Sequence, residues 1–516
     1  MTTDKRAAGF DRRWLTLIAV CGATFMLLVD VTVVQVALPT IQHRLGANFS
    51  DLQWVIDAYA VSLATLILAW GSSADRFGRK HVFVAGLGIF TLASVLCGVA
   101  TGATFLIWAR ALQGVGGAAM FATGLALIGQ EFHGPERGKA IAAWGATVGG
   151  AVAIGPLFGG AITSGLGWRW IFFINVPIGV ITSWLALTRM VNVSDTSTTR
   201  LDVGGLTTFS AAMFLLVFGL IRANTDGWTS TAILSYFGAA VVLFVVFVVI
   251  ELRQERPMFD LALFRRPSFT GVSLATFAIG GGMFAMYPFL TLYLQNNLGF
   301  SPLHGGLCLL PSTVLCFVVP LAFHSIADRI AARVVLGTGL ALTAAGLAAM
   351  LWVTSSSSWE TLIPGLILTG LGIGLANPAI ARTALGVVAP ERSGMASGLS
   401  NTFRIGGLAT GVAALGAIFE RQVGTSLAAH LGHPAPALAK VIASAGVHAA
   451  VATDPGQAGL ATSSHVAFVS GLHLILVIGT ALVALGAVAA FTLVRAQDFF
   501  ARRPPTPAAE PTGQPH

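Results

Sequence analysis

Long apolar runs broken by short polar segments make up nearly the whole chain. Fourteen runs reach about 18 residues, and a helix rising ~1.5 Å per residue then crosses ~30 Å of hydrocarbon. They lie near residues 14–38, 53–72, 81–100, 104–128, 140–164, 170–190, 204–222, 232–250, 269–294, 304–325, 334–354, 362–386, 395–419 and 467–494. The pattern predicts an all-α polytopic membrane protein. The first run follows Lys5, Arg6, Arg12 and Arg13, but it is long, carries Asp30 and precedes thirteen more. It is therefore expected to remain in the mature chain and not to act as a cleaved signal peptide. The segment 420–466, rich in Ala, Gly and His, is expected to hold a short interfacial helix at most.

The chain also echoes itself at an offset of about 255. Ala74, Asp75 and Arg76 recur as Ala327, Asp328 and Arg329, and Pro135, Glu136 and Arg137 recur as Pro390, Glu391 and Arg392. Gly114 and Gly116 recur as Gly370 and Gly372. Matching spans point the same way, which predicts two parallel six-helix bundles, 14–190 and 269–495, the architecture of rocking transporters. Residues 191–268 would insert two further central helices. Residues 1–13 and 496–516 would be cytoplasmic tails, the second Pro- and Ala-rich and expected to be disordered.

Composition agrees. Of 516 residues, 55% are hydrophobic and only 10% are Asp, Glu, Lys or Arg, where soluble domains carry about 25%. The formal net charge of +8 marks orientation and not nucleic acid, because no folded basic face exists to bind one. With the N-terminus in the cytoplasm, 22 of the 29 Lys and Arg fall in cytoplasmic segments and five outside. Arg110 and Arg404 remain within the membrane. Both termini are thus expected inside the cell. Cys21, Cys97, Cys308 and Cys316 all lie in apolar runs, so neither a disulfide framework nor a metal site is expected.

The acids give the sharpest signal. Only Asp30 and Asp57 fall clearly within a span, and a carboxylate there is functional by default because burying it is costly. Helix rise puts Asp30 roughly 12 Å, and Asp57 and Arg110 roughly 6–9 Å, from the outer ends of their spans. Two acids and one Arg in a low-dielectric site make a proton-binding device. The alternative is a static Asp–Arg pair holding helices together. Against it, the second repeat has Leu366 at the position matching Arg110.

Three further patterns carry mechanism. The turn 71–80 holds Gly71, Asp75, Arg76, Gly78 and Arg79; Asp75 can cap a helix start or pair with a neighbouring Arg, closing an inner gate. A plain basic loop would not need that spacing. In the fifth span Gly155, Pro156, Gly159 and Gly160 form a small-residue stripe with a kink-prone proline. Arg404 sits near the midplane, where it either lines the substrate pathway or meets a carboxylate when the halves close.

These residues resemble the major facilitator superfamily, and within it the fourteen-span drug:proton antiporters. The superfamily's inner-gate signature matches Gly71, Asp75, Arg76, Gly78 and Arg79. The fourth-span signature matches Arg110, Gln113, Gly114 and Gly116, which implies a part in proton transfer for Arg110. The antiporter signature matches Gly155, Pro156, Gly159 and Gly160. A first-span signature runs from Asp30 through Thr32 and Ala37 to Pro39, with Gln35 where the family usually has Asn. Trp54, Asp57 and Tyr59, the run 168–179 with Asn175, and Ser397, Asn401 and Arg404 also look like this family. The resemblance covers about residues 14–420. One departure is that spans nine to fourteen show no clearly buried acid. Strongly cationic substrates are therefore not favoured, and a neutral, weakly basic or anionic amphiphile fits an aromatic cavity with Arg404.

The resulting expectation is a proton-coupled antiporter of the inner membrane, working as a monomer in the lipid bilayer and exporting hydrophobic small molecules in exchange for protons. Asp30 and Asp57 would carry the proton, Arg110 would tune them, and Gln35 and Arg404 would face substrate. No cofactor is expected, and no GxxxxGK[ST] loop suggests ATP drive. A dedicated exporter of one endogenous metabolite or lipid is the nearest rival. A channel, or a membrane-embedded enzyme with clustered His and acids, fits less well.

Overall fold

A computed structural model describes residues 11–47, 49–192, 202–254, 261–327, 329–389, 392–453 and 459–499. Asp328, Pro390, Glu391 and the tail from 500 lie outside the described residues, as do the side chains of Gln35 and Pro156. Among the described residues every regular element is helical. The first group is α1 (Arg12–Leu45), α2 (Phe49–Phe77), α3 (Arg79–Gly98), α4 (Ala103–Glu131), α5 (Pro135–Gly165), α6 (Trp170–Phe173) and α7 (Asn175–Arg189). Next come α8 (Val203–Asp226) and α9 (Thr231–Arg253). The remainder is α10 (Pro267–Ala278), α11 (Tyr287–Leu292), α12 (Pro302–Cys308), α13 (Leu310–Ala327), α14 (Ala332–Ala349), α15 (Ile363–Gly386), α16 (Ser393–Leu431), α17 (Pro436–Thr453) and α18 (Leu460–Leu493).

Twelve described helical stretches are long and apolar enough to cross a membrane, against the fourteen spans expected. The two expected spans outside that set are the Gly- and Ala-rich α5, of 31 residues, and α13, whose apolar stretch Leu310–Ile326 is shorter. The protein is a multi-pass membrane protein, and its side chains sort accordingly. On α9, Val241, Val242, Val245, Val248 and Val249 are exposed, which only lipid tolerates as a continuous face.

Buried apolar residues gather in separate cores. Two draw on α1–α7, and another on residues between Val272 and Val494. A further core seats Phe209, Met213 and Val217 of α8 and Phe247 of α9 against Val61 and Leu68 of α2 and Met395 and Leu399 of α16. The inserted pair thus lies against the seam where α2 meets α16.

The structure departs from expectation at 420–466. Here α16 continues to Leu431, ends at Gly432 with φ 76°, and α17 packs back with Ala439, Ile442 and Ala450 buried. Alanine gives little hydropathic contrast, yet small side chains let α17 lie close against α16 and α18. The ninth span is also not a uniform helix. Ile279–Met283 and Tyr293–Asn297 are π-helical, and Gly281 of the first of these packs against the backbone of Gly407 on α16.

Helix α5 uses its glycines on three partner helices. A Cβ on Gly145 would stand 2.9 Å from Pro378 of α15, and one on Gly150 3.3 Å from Phe317 of α13. Toward the other end Gly155 faces Thr32, and Gly159 would place a Cβ 3.1 Å from the Val33 backbone of α1. Gly160 meets nothing within 4 Å. Gly159→Leu is therefore expected to cost about 1–3 kcal/mol by overpacking. Gly160→Ala should stay within about 0.5 kcal/mol of the parent; thermal unfolding of the detergent-purified protein reads the difference.

Candidate functional site

Asp30 lies mid-way along α1 and is 2% exposed. Its carboxylate accepts three donors. The Arg110 guanidinium of α4 reaches Oδ2, while the carboxamides of Gln113 (2.9 Å) and Asn175 (3.1 Å) reach Oδ1. Gln113 follows Arg110 by three residues and so shares its helix face. Asn175 opens α7, and its position depends on the short turn after α6. Arg110 is itself satisfied: Nε–H donates to the Val55 carbonyl of α2 at 3.0 Å and a terminal N–H to Gln113 Oε1 at 2.6 Å. Its Cζ stands 4.3 Å from the Tyr59 ring centroid. Ser94 of α3 accepts from Gln113 at 2.9 Å and from Asn175 at 3.4 Å. Five helices thus converge on one carboxylate. A proton arriving there removes the negative charge that Arg110, Gln113 and Asn175 all answer, which links protonation to the packing of α1, α4 and α7.

Asp57 stands apart from this network. It is half-buried on α2 and shares no hydrogen bond or ion pair with Arg110. The charge that acts on it is Arg222 of α8, which is itself bonded to Asp226 at 2.9 Å. Its neighbour Trp54 packs on Phe218 of α8, ring centroids 5.5 Å apart. The expected grouping of Asp30, Asp57 and Arg110 is corrected in this respect. Depth alone suggested it, but Asp57 points another way from the α2 groups that face Arg110, the Val55 carbonyl and the Tyr59 ring.

At the end of α2, Asp75 does both things its position allowed. It accepts from Arg79 at 3.0 Å, and also from the backbone N–H groups of Gly394 (3.0 Å) and Met395 (2.9 Å). Those amides belong to the first turn of α16, where N–H groups lack helical partners and the helix dipole favours an anion. Gly71 lets the same two helices touch, since a Cβ there would stand 2.9 Å from the Gly394 carbonyl. Gly78 has φ 96° at the turn into α3, with Asn192 packed against its α-carbon. Arg76 is half-buried and lies 5.2 Å from the Phe77 ring. At this same end Arg13 pairs with Glu136 at 2.7 Å, tying α1 to α5.

Arg404 of α16 is buried, and its partner is Asn377 Oδ1 of α15 at 2.9 Å, not a carboxylate. The Phe284 ring lies 6.0 Å from its Cζ. Gln35 lies on α1 one turn beyond Asp30; its side chain is outside the described set.

The profile described as Major Facilitator Superfamily matches residues 20–270 and 272–494, almost the whole chain. The chain belongs to the Major Facilitator Superfamily. Within it, the chain is 36% identical over 427 residues to multidrug resistance protein Stp of Mycobacterium tuberculosis, covering 82% of this chain and 79% of that one. It is 34% identical over 499 residues to the tetracenomycin C resistance and export protein of Streptomyces glaucescens, covering 93% and 92%. Among solved structures, a bacterial homologue of the human lysosomal transporter Spinster aligns with a TM-score of 0.55 at 17% identity. The alignment covers 96% of this chain and all of that one, a likeness of fold alone.

In this superfamily member Gln113, Asn175 and Ser94 complete the acid's surroundings, yet sequence reasoning did not choose them as site residues. Gln113 was findable from its i,i+3 spacing to Arg110. Asn175 stood in the family-like run 168–179 without an assigned role, and Ser94 offered no signal; the nearness of both to Asp30 is a product of helix packing. The contact between Asp75 and the first turn of α16 has a measurable consequence. In a chain whose four cysteines are replaced by serine, Ser397→Cys on the buried face of α16 is expected to react slowly with maleimide. Adding Asp75→Ala removes charge-assisted hydrogen bonds of about 1.5–3 kcal/mol from the closed arrangement, so labelling should accelerate about tenfold or more.

Proposed function

We propose that this protein is a proton-coupled antiporter that exports hydrophobic or amphiphilic small molecules, drugs and antibiotics among them, across the cytoplasmic membrane. The observation that carries this reading is the buried Asp30 carboxylate held by Arg110, Gln113 and Asn175. The names of the multidrug and antibiotic resistance relatives support the substrate class. With α5 and α13 counted as crossings the total is fourteen, both termini are cytoplasmic, and the bundles 14–190 and 269–495 rock as units of one monomer.

In this cycle a proton entering from outside reaches Asp30 and weakens its hold on Arg110. The donors on α4 and α7 then turn to other acceptors, and the first bundle changes shape. The Asp75 contact with the start of α16 breaks as the inner side opens, and substrate enters between the bundles. Proton release to the cytoplasm restores the pair. Each proton moving inward down ~100 mV supplies about 2.3 kcal/mol. The Gly71 and α5 close contacts provide interfaces that slide without leaving gaps. Asp57, beside α8, is a second titratable group that responds to the inserted helices. A dedicated exporter of one metabolite is the second reading, favoured by the near full-length match to the tetracenomycin C protein.

In proteoliposomes with an imposed pH gradient, substrate is expected to evoke proton flux, and its absence would overturn antiport. Asp30→Asn should abolish that flux, with Asp57→Asn impairing it less. Asp30→Asn also leaves Arg110 buried without its counter-charge, at a cost of about 3–5 kcal/mol. The double variant Asp30→Asn with Arg110→Gln should recover most of the thermal stability and none of the coupling. Recovery of coupling in the double variant would reduce the pair to a structural tie.

A further inference from the structure

Arg110 and Arg404, the arginines placed deep within spans, are answered differently. Arg110 meets a carboxylate, a carboxamide and a carbonyl. Arg404, 6% exposed, meets a neutral carboxamide oxygen, and its Nε–H has no partner. The Nδ2 of Asn377, on a side chain with no exposed surface, has no partner either. Among the described residues no carboxylate forms an ion pair with Arg404. A buried cation without a counter-charge is costly, and so is a buried N–H without an acceptor. Here both occur side by side, on α15 and α16.

Aromatic rings stand beside this pair. Phe284 lies 6.0 Å from the guanidinium and stacks with Tyr287, centroids 6.5 Å apart and planes within 23°. The Tyr287 hydroxyl leads on to Ser312 at 3.2 Å. Just before Phe284 the ninth span is π-helical at Ile279–Met283, a local irregularity that concentrates at functional sites.

We propose that Arg404 and Asn377 receive the anionic group of the transported molecule, whose class is then an apolar aromatic compound carrying an ionised carboxylate or phenolate. This rests on the export reading above and narrows it. The guanidinium edge bearing Nε offers the planar fork that a carboxylate accepts, and Asn377 Nδ2 adds a third donor. The ring of the ligand lies along Phe284 and Tyr287. An anion leaving as protons enter moves charge in one sense, so its export runs faster under an inside-negative potential.

The test uses the full chain in liposomes, with 1-naphthoate and the uncharged 1-naphthamide as probes. Binding is read as the shift in thermal stability, and coupling as proton movement. Naphthoate is expected to act at a concentration at least about tenfold lower than the amide. Arg404→Gln should erase that preference, and Arg404→Lys should keep part of it. Asn377→Asp places a carboxylate beside the arginine; it should erase the preference while raising the stability of the ligand-free protein, which separates lost binding from lost folding. Equal action of acid and amide, no response to either, or an acid preference that survives both Arg404→Gln and Asn377→Asp overturns the proposal. If a neutral antibiotic still drives Asp30-dependent proton flux in that case, the export reading stands alone. If no compound does, that reading fails as well.

Discussion

The Asp30–Arg110 ion pair is the constraint around which the first bundle is arranged. Two charges 1–2% exposed are tolerable in a lipid-embedded core only when each remaining lone pair and N–H finds a partner. That requirement brings Gln113 beside Arg110, puts Asn175 at the first residue of α7, turns Ser94 inward and aims the Val55 carbonyl of α2 at the guanidinium. Helices α1, α2, α3, α4 and α7 therefore cannot shift independently. In the proposed cycle this is the source of coupling, because one proton on one oxygen is felt by all five.

The seam where α2 and α5 meet α16 and α15 obeys a different rule. No hydrophobic force draws apolar helices together in lipid, so close approach and hydrogen bonds must do it. Glycines supply the approach, Gly71 against Gly394 and Gly145 against Pro378, and Asp75 supplies the hydrogen bonds by capping α16. Contacts of this kind are specific to one arrangement. They are also few enough to break, as a transporter that alternates between two arrangements requires. The second bundle is quieter at its centre, where Arg404 faces a carboxamide in place of an acid.

Much of this was legible in the sequence because lipid imposes simple rules. Length and apolarity mark spans, and scarcity of charge makes every intramembrane acid or arginine conspicuous; Asp30, Arg110 and Arg404 stood out on that ground alone. The partners of Asp75 were readable because a carboxylate at a helix end has capping and pairing open to it, but the turn expected over 71–80 is only Gly78, with α2 running on to Phe77 and α3 starting at Arg79. The misplaced features share one cause. Asp57 was grouped with Arg110 by depth, but rotation about the α2 axis decides its neighbours, and that rotation depends on how Trp54 packs against α8. The helix α17 is longer and better buried than the short interfacial helix expected there, because an alanine-rich surface declares itself only when another surface lies against it.

By itself, then, the sequence determined that the chain crosses the membrane many times and which residues are too costly to bury without a purpose. These follow from transfer energies, which are properties of single residues and short runs. Tertiary structure alone decided that Asp30 has three donors and Asp57 none of them, that Asp75 caps a helix more than 300 residues away, and that Arg404 meets a carboxamide with no carboxylate paired to it among the described residues. Those are properties of pairs distant in the chain, set by helix rotation and close approach, and no local pattern of residues encodes them.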